Sequence, residues 1–305
     1  MGVTTPAAAD KRAALKKSLE AGGLLRFVGA FVPLVARLVE DAGFDGVYVS
    51  GAGLSAERAL PDIGLLTATE VTARGGQIAA ATRLPAILDA DTGFGEAVNV
   101  MRTVQSLEAA GLAGCHIEDQ VMPKRCGHLD NKQLVERDRM VEKIAAARRG
   151  RGDPNFLIIA RTDARGVEGL DGALERARAY EAAGADMIFP EAPLDEGEFA
   201  AFRAAVDVPL LANMTEFGKS PLLSTSALEG LGYGLVIYPV TTLRLAMHAV
   251  EEGLRALKVA EDQQALLPVM QTRARLYDLL GYADYAELDA AVAGYGLVDD
   301  PGERD

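Results

Sequence analysis

Short apolar runs alternate along the chain with longer stretches in which apolar side chains return every three or four positions. Eight such runs stand out: Phe27 to Ala30, Val47 to Ser50, Ala86 to Asp89, Cys115 to Glu118, Leu157 to Thr162, Met187 to Glu191, Leu210 to Asn213 and Leu235 to Tyr238. Runs this short, rich in Val, Ile, Leu and Phe, read as buried strands, and the 3.6-residue periodicity after each reads as an amphipathic helix. Eight β/α units in one chain predict an α/β protein built as a closed (β/α)8 TIM barrel. A doubly wound open sheet would more often show fewer strands and a glycine fingerprint after the first.

A weak repeat supports the alternation: EDAGFDGVYVS (40–50), EAAGLAGCHIE (108–118), EAAGADMIFPE (181–191) and EGLGYGLVIYP (229–239). In each, a helix ends at a glycine suited to a left-handed C-terminal residue, and a strand follows. Such connections look alike in any α/β chain, so the repeat bears on architecture and not on ancestry. Pro85 and Pro209 stand just before strands, where a missing N–H costs least. Past the last strand an amphipathic segment, about 241–295, carries more apolar positions than one barrel-covering helix needs. The expected organisation is a single barrel domain over 1–305, a C-terminal helical extension over about 241–295 that packs on another subunit, and a flexible polar tail at 299–305.

Barrels of this kind assemble their chemistry at the C-terminal ends of the strands. Period two places Asp89 with Asp91, and His116 with Glu118, on the inner side, and sends Cys115 and Ile117 toward the helices. Carboxylates without surrounding His or Cys suit a hard ion, Mg2+ or Mn2+. A lone D-x-D equally reads as a helix cap beside a solvated acid. Arg161 interrupts the apolar run FLIIARTD, where an unpaired charge is costly, so something anionic is expected against it. Arg244 and Arg273 are further candidates for carboxylate recognition, though surface arginines are common.

The stretch PKRCGHLD (123–130) holds one of only two cysteines. Lys124, Arg125 and His128 beside Cys126 predict a thiolate-favouring loop, and Gly127 allows close backbone approach to a ligand. The plainer reading is an exposed thiol in a basic turn. A net charge of −13 argues against nucleic-acid or anionic-membrane partners. The N-terminal MGVTTPAAAD has no apolar core suited to export, no run is long enough to span a membrane, and two cysteines make no disulfide framework. The expectation is a reduced, cytoplasmic protein.

SGAG (50–53), LPDIG (60–64), DADTGFG (89–95), HIEDQ (116–120), KRCGH (124–128), ARTDA (160–164), FPEA (189–192), NMTEFG (213–218) and MQTR (270–273) together resemble the isocitrate lyase and phosphoenolpyruvate mutase superfamily. The resemblance runs from about Arg12 to about Tyr282, and the cysteine loop points to the lyase branch. It implies a homotetrameric, Mg2+-dependent TIM barrel, Mn2+ being an alternative, with C-terminal helices swapped within pairs of subunits. The implied reaction is retro-aldol cleavage of the tricarboxylate 2-methylisocitrate to pyruvate and succinate, in propionate breakdown through the methylcitrate cycle. By motif, Asp89 and Asp91 would hold the metal, with Glu118 in its outer shell and Asp62 nearby. Ser50, Gly51, Ala52, Gly127, Arg161, Glu191, Asn213, Met214, Thr215, Arg244 and Arg273 would line the substrate. Cys126 would protonate the succinate carbon, His128 would reload it, and Tyr48 is the expected base for the hydroxyl proton.

Ala52 departs from the family's usual Ser-Gly-Gly and requires a negative φ there. Phe189, Ile237 and Pro239 stand where the family meets the substrate's extra methyl, a group worth only about 1–3 kcal/mol of discrimination, so side activity on isocitrate is expected. Related lyases or hydrolases of isocitrate, oxaloacetate or dimethylmalate, a phosphonate mutase, and a noncatalytic carboxylate-binding barrel are the competing readings.

Overall fold

The strand-forming runs of the sequence become a ring in the computed structural model, which describes residues 6–296; the tail expected at 299–305 lies outside the described residues. The strands are β1 (Leu25–Gly29), β2 (Gly46–Val49), β3 (Ala86–Asp89), β4 (Gly114–Glu118), β5 (Leu157–Thr162), β6 (Met187–Pro190), β7 (Leu211–Asn213) and β8 (Leu235–Tyr238). All pairings are parallel, and β1 pairs with both β2 and β8, so the sheet curls on itself. Between β6 and β7 closure rests on one parallel bridge, Ile188 to Leu210. With helices between the strands this is a (β/α)8 TIM barrel.

Alternation along each strand sorts the side chains. Leu157, Met187, Leu211 and Leu235 point inward low in the barrel, followed by Phe27, Tyr48, Ile87, Ile159, Phe189 and Ile237; Leu15, from the helix Ala8–Ala21, belongs to the same cluster. A Cβ at Gly46 would fall on the Phe27 ring, so the glycine makes room for a phenylalanine that fills the interior. The outward positions, among them Val47, Leu88, Cys115, Ile117, Ile158 and Val236, pack under the helices in the larger core. One step further along the inward series the residues turn polar: Asp89, His116, Glu118, Arg161, Glu191 and Asn213. The barrel is apolar through most of its depth and ionised only at its C-terminal mouth.

Asp119 fixes that mouth from behind. It points away from the interior and is fully buried. Its carboxylate accepts hydrogen bonds from Thr162 Oγ1 (2.8 Å), Asp163 N (2.8 Å) and Tyr180 Oη (2.8 Å). The ends of β4 and β5 are thereby tied to the helix Arg165–Ala182, which contributes Tyr180 and Arg176, the latter 3.4 Å from the same carboxylate.

The residues Pro6–Ala246 form one compact unit and the described residues 247–296 belong to another. The helix Thr241–Val259 runs across this division and is followed by a 3-10 turn (Gln264–Val269) and the helices Arg273–Leu280 and Tyr282–Gly296. Among the described residues no helix is long and apolar enough to cross a membrane.

Replacing Asp119 with Ala leaves the buried donors Thr162 Oγ1, Asp163 N and Tyr180 Oη without this acceptor and takes one anion from Arg176, which keeps Glu168 and the Val135 carbonyl. The expected loss is about 3–5 kcal/mol of unfolding free energy in urea titration. A loss under about 1 kcal/mol would mean that the network contributes little to holding the mouth together.

Candidate active site

The Arg161 guanidinium is the centre of charge at the barrel mouth, and it is only 7% exposed. Its Nε and Nη2 donate to Asp163 at 3.0 and 3.1 Å. Nη1 lies 3.3 Å from Glu118 and Nη2 3.6 Å from Glu191, while the guanidinium carbon sits 5.2 Å from the Phe189 ring centre. The anion expected against Arg161 is thus supplied by three carboxylates of the chain itself. Burial alone would lower the arginine's pKa; Asp163, Glu191 and Glu118 outweigh it and raise the pKa well above the ordinary value. Glu191 is held below the usual carboxylate range, because Arg161, His128 and Asn213 overcome the opposing effect of burial. Glu118 is pushed up, burial outweighing Arg161, and neither of its oxygens has a hydrogen bond.

On the adjacent arc stand Asp89 and Asp91. Asp89 accepts from Gly51 N (3.2 Å) and Asp91 N (3.0 Å). Asp91 adopts a left-handed backbone (φ 47°), as does Phe94 (φ 58°), in a turn loosened by Gly93 and Gly95. Such a conformation costs of order 1 kcal/mol or more at a non-glycine residue and persists where the surroundings fix it. Burial raises the Asp91 pKa to about 6. The acids expected to surround a metal are not gathered into one group, and among the described residues no three His, Cys, Asp or Glu side chains converge as a ligand set. Lys124 sits among these acids: its buried ammonium pairs with Asp62 and lies 2.9 Å from Asp91 Oδ1. Both Glu118 oxygens remain buried without hydrogen bonds, and Asp91 Oδ1 faces Lys124. A small hard cation held by one or two carboxylates and completed by water fits that donor set.

Tyr48 Oη and His116 Nε2 share a hydrogen bond of 2.7 Å, with the two rings stacked. Burial lowers the His116 pKa to about 4, leaving a neutral imidazole near pH 7. Burial, then Asp89, raises Tyr48 well above the ordinary phenol value. The expectation of Tyr48 as base therefore runs against its surroundings: it stands as a protonated phenol, fit to donate.

The loop 123–130 lies against this cluster. Arg125 N donates to Gln120 Oε1, and Gln120 Nε2 donates to Arg125 O, each at 2.8 Å. A Cβ at Gly127 would overlap Glu191 and Arg161, so only glycine permits the backbone to sit here. His128 Nδ1 accepts from Lys219 N at 2.9 Å, which places its ring proton on Nε2, 3.2 Å from Glu191 Oε1. Cys126 is exposed, and its thiol pKa is raised, not lowered. The surrounding protein withdraws water from it, and Glu191 adds negative charge; these exceed the opposing pull of the His128 backbone N–H and of Arg161. The predicted thiolate loop is corrected for a definite reason: Lys124 is spent on Asp62 and Asp91, and His128 on Glu191.

A family model described as phosphoenolpyruvate phosphomutase matches residues 15–258. The chain belongs to that family. It is 58% identical to the probable 2-methylisocitrate lyase 1 of Corynebacterium glutamicum, over 93% of this chain and 94% of that one. Its identity to the 2-methylisocitrate lyase of Aeropyrum pernix is 48%, over 92% and 90%. Among solved structures, phosphonopyruvate hydrolase in complex with oxalate and Mg2+ superimposes with a TM-score of 0.84 at 34% identity, covering 92% of this chain and 98% of that chain.

The remaining expected residues of this phosphoenolpyruvate phosphomutase family member divide in two. Ser50 caps the helix Gly51–Glu57, accepting from Gly53 N at 3.4 Å. Ala52 lies within that helix and outside the positive-φ set, so its Cβ is accommodated. Asn213 Nδ2 donates to Glu191 Oε2 at 3.2 Å, and its Oδ1 is buried without a partner. Thr215 is half-buried in the following loop. Arg244 lies 3.4 Å from Glu216 and 5.1 Å from the Phe217 ring centre, with about half of its side chain exposed. Met214 is a correction: its side chain is buried in the outer core and its sulfur accepts from Leu223 N, because period two turns it away from Asn213's side. Arg273 is exposed at the start of the helix Arg273–Leu280, in the C-terminal unit.

Asp163 and Lys132 are contacts that motif reading passed over. Asp163 was within reach, since period two puts it beside Arg161. Lys132 gave no signal in an exposed-looking DNKQ stretch.

A thiol held up in this way reacts slowly with iodoacetamide near neutrality. Its alkylation rate is expected to stay below that of free cysteine and to keep climbing at alkaline pH where an ordinary thiol has levelled off. A plateau at or below the ordinary thiol range would show that the loop promotes thiolate after all.

Proposed function

We propose that this chain is a metal-dependent carbon–carbon lyase that cleaves 2-methylisocitrate into pyruvate and succinate. The observation that carries the reading is the Cys126 loop seated against a buried arginine–carboxylate cluster, with Gly127 packed on Glu191 and Arg161, beside Asp89 and Asp91 at the same mouth. Overall identity to 2-methylisocitrate lyases over almost the whole chain supports the substrate. The metal we propose is Mg2+, with Mn2+ the alternative, held by Asp89 and Asp91 with Glu118 in the outer shell. When bound there it would favour loss of the substrate's hydroxyl proton and steady the developing ketone.

The chain's own residues supply the rest. Arg161, freed in part from its carboxylates, faces the negative charge that grows on the succinate half as the C–C bond breaks. Asn213, whose Oδ1 is unpartnered, and Glu191 orient the substrate, as do Ser50, Gly51, Ala52, Gly127 and Thr215 around the mouth, with Arg244 as an outer carboxylate contact. The electron pair released by the C–C bond passes onto the succinate carbon, and Cys126 delivers its proton there. The raised thiol pKa suits this donor role. His128 Nε2–H, held by Glu191, is placed to return a proton to the loop. The substrate's hydroxyl proton passes to Tyr48 Oη as the phenol's own proton moves to the neutral His116 Nε2, 2.7 Å away, so Tyr48 relays the proton it is not placed to hold alone.

Two further parts of the reading concern the whole protein. The helix Thr241–Val259 exposes Leu245, Val250, Leu254 and Leu257, and the helix Tyr282–Gly296 exposes Tyr282, Tyr285, Leu288 and Val292. Apolar stripes of that extent call for a covering partner, and a second copy of this chain exchanging these helices, in a homotetramer, is the partner we propose. Both cysteines are free thiols, in keeping with a reducing cytoplasm.

The deciding assay offers 2-methylisocitrate and isocitrate in parallel with Mg2+ and measures pyruvate and glyoxylate. Pyruvate should dominate, EDTA should abolish it, and Cys126→Ser should lower kcat by about 100-fold or more. Full activity in Cys126→Ser would remove the thiol from the mechanism, and failure on both substrates would overturn the lyase reading. Separately, analytical ultracentrifugation should find a mass several times that of one 32.2 kDa chain. A monomer at micromolar concentration would overturn the exchanged-helix assembly.

A further inference from the structure

We propose that Lys132 is a positioning residue that seats the Cys126 loop, by tying the Gly127 carbonyl to the same carboxylate that anchors Arg161. Lys132 lies just beyond the loop and its side chain is 3% exposed. Its ammonium donates to the carbonyl of Gly127 and stands 3.3 Å from Asp163 Oδ1. Asp163 in turn holds Arg161 through two hydrogen bonds and is itself fixed by its backbone N–H to Asp119. The Gly127 peptide is therefore gripped from two sides: Arg161 and Glu191 pack where a Cβ would be, and Lys132 holds its carbonyl.

The physical logic is one of satisfaction. A buried ammonium needs acceptors, and Lys132 has a carboxylate on the barrel and a carbonyl on the loop. If the loop lifts, the carbonyl leaves and the cation stays buried beside Asp163 alone, so the closed seat is favoured. Gly127 follows Cys126 directly, so fixing this carbonyl fixes where the thiol is presented. Lys124, paired with Asp62 and Asp91, and His128, beside Glu191 and Lys219 N, tie the loop on either side of the thiol, while Lys219 to Asp130 involves an aspartate that is 83% exposed and contributes little; Lys132 grips the peptide that directly follows Cys126. Lys132 is the contact that orients the acid, and this rests on the reading of Cys126 as proton donor.

The test uses the full-length, Mg2+-supplied protein with Lys132→Met, which keeps an unbranched side chain and removes the charge. Two quantities are measured: the iodoacetamide alkylation rate of Cys126, with Cys126→Ser giving the background from Cys115, and kcat and KM for 2-methylisocitrate. Alkylation should accelerate roughly 10-fold, the shift expected from losing one charge-assisted hydrogen bond. The kcat should fall by about 100-fold while KM moves far less, as misplacement of a reacting group predicts. Alkylation and kcat both within about twofold of the unsubstituted protein would overturn the proposal. Should Lys132→Met fail to fold, Lys132→Gln is read in the same way: faster alkylation supports the anchor, and an unchanged rate overturns it. Activity retained in Cys126→Ser would end the proton-donor reading alone, since the alkylation comparison reports on the loop without any turnover.

Discussion

A guanidinium buried at the mouth of a barrel has to be matched by negative charge, and the way this chain matches Arg161 organises everything around it. Asp163, Glu118 and Glu191 come from the ends of three neighbouring strands, β5, β4 and β6, and each approaches a different edge of the same planar group. Two of these acids serve more than Arg161. Glu191 also faces His128 and Asn213, and Asp163 faces Lys132. The loop carrying the thiol is thereby joined to the mouth through the carboxylates that neutralise the arginine. Removing the arginine would leave three buried acids in mutual repulsion and take away the floor on which the loop rests.

The same accounting explains the chemistry of Cys126. Three cationic side chains next to a cysteine in sequence suggest thiolate, but charge acts through space. Lys124 turns inward to Asp62 and Asp91, where the attraction of the acids outweighs the penalty of burying it. His128 is held by Glu191, which brings an anion and not a cation toward the thiol. A thiol with a raised pKa results from a segment that is formally basic.

How much of this was legible in the sequence depends on which interaction fixes each part. The eight strands were legible because a barrel strand must be apolar on both faces for most of its length, and the run from Leu157 to Thr162 was found with its bounds unchanged. Inward and outward faces followed from period two, which placed Asp89, His116 and Glu118 inside and Cys115 outside. Applied one residue further, the same rule would have turned Met214 outward and brought Asp163 to Arg161. The partners of Lys124, His128 and Lys132 were not legible, since they lie on loops whose approach no local periodicity encodes. The raised pKa of Tyr48 was hidden for a related reason: it depends on burial inside the closed ring and on the charge of Asp89, brought up by a neighbouring strand.

The joint between β6 and β7 gives the site a second meaning. Backbone pairing there amounts to one bridge, yet Glu191 stands at the end of one strand and Asn213 at the end of the other, and their side chains join across the gap. A substrate held by both would work as a suture, closing the ring where the main chain closes it least. Its binding free energy would then be felt as resistance of the whole ring to opening. In such a molecule the pocket is less a cavity set into a finished scaffold than the last fastening of the scaffold itself.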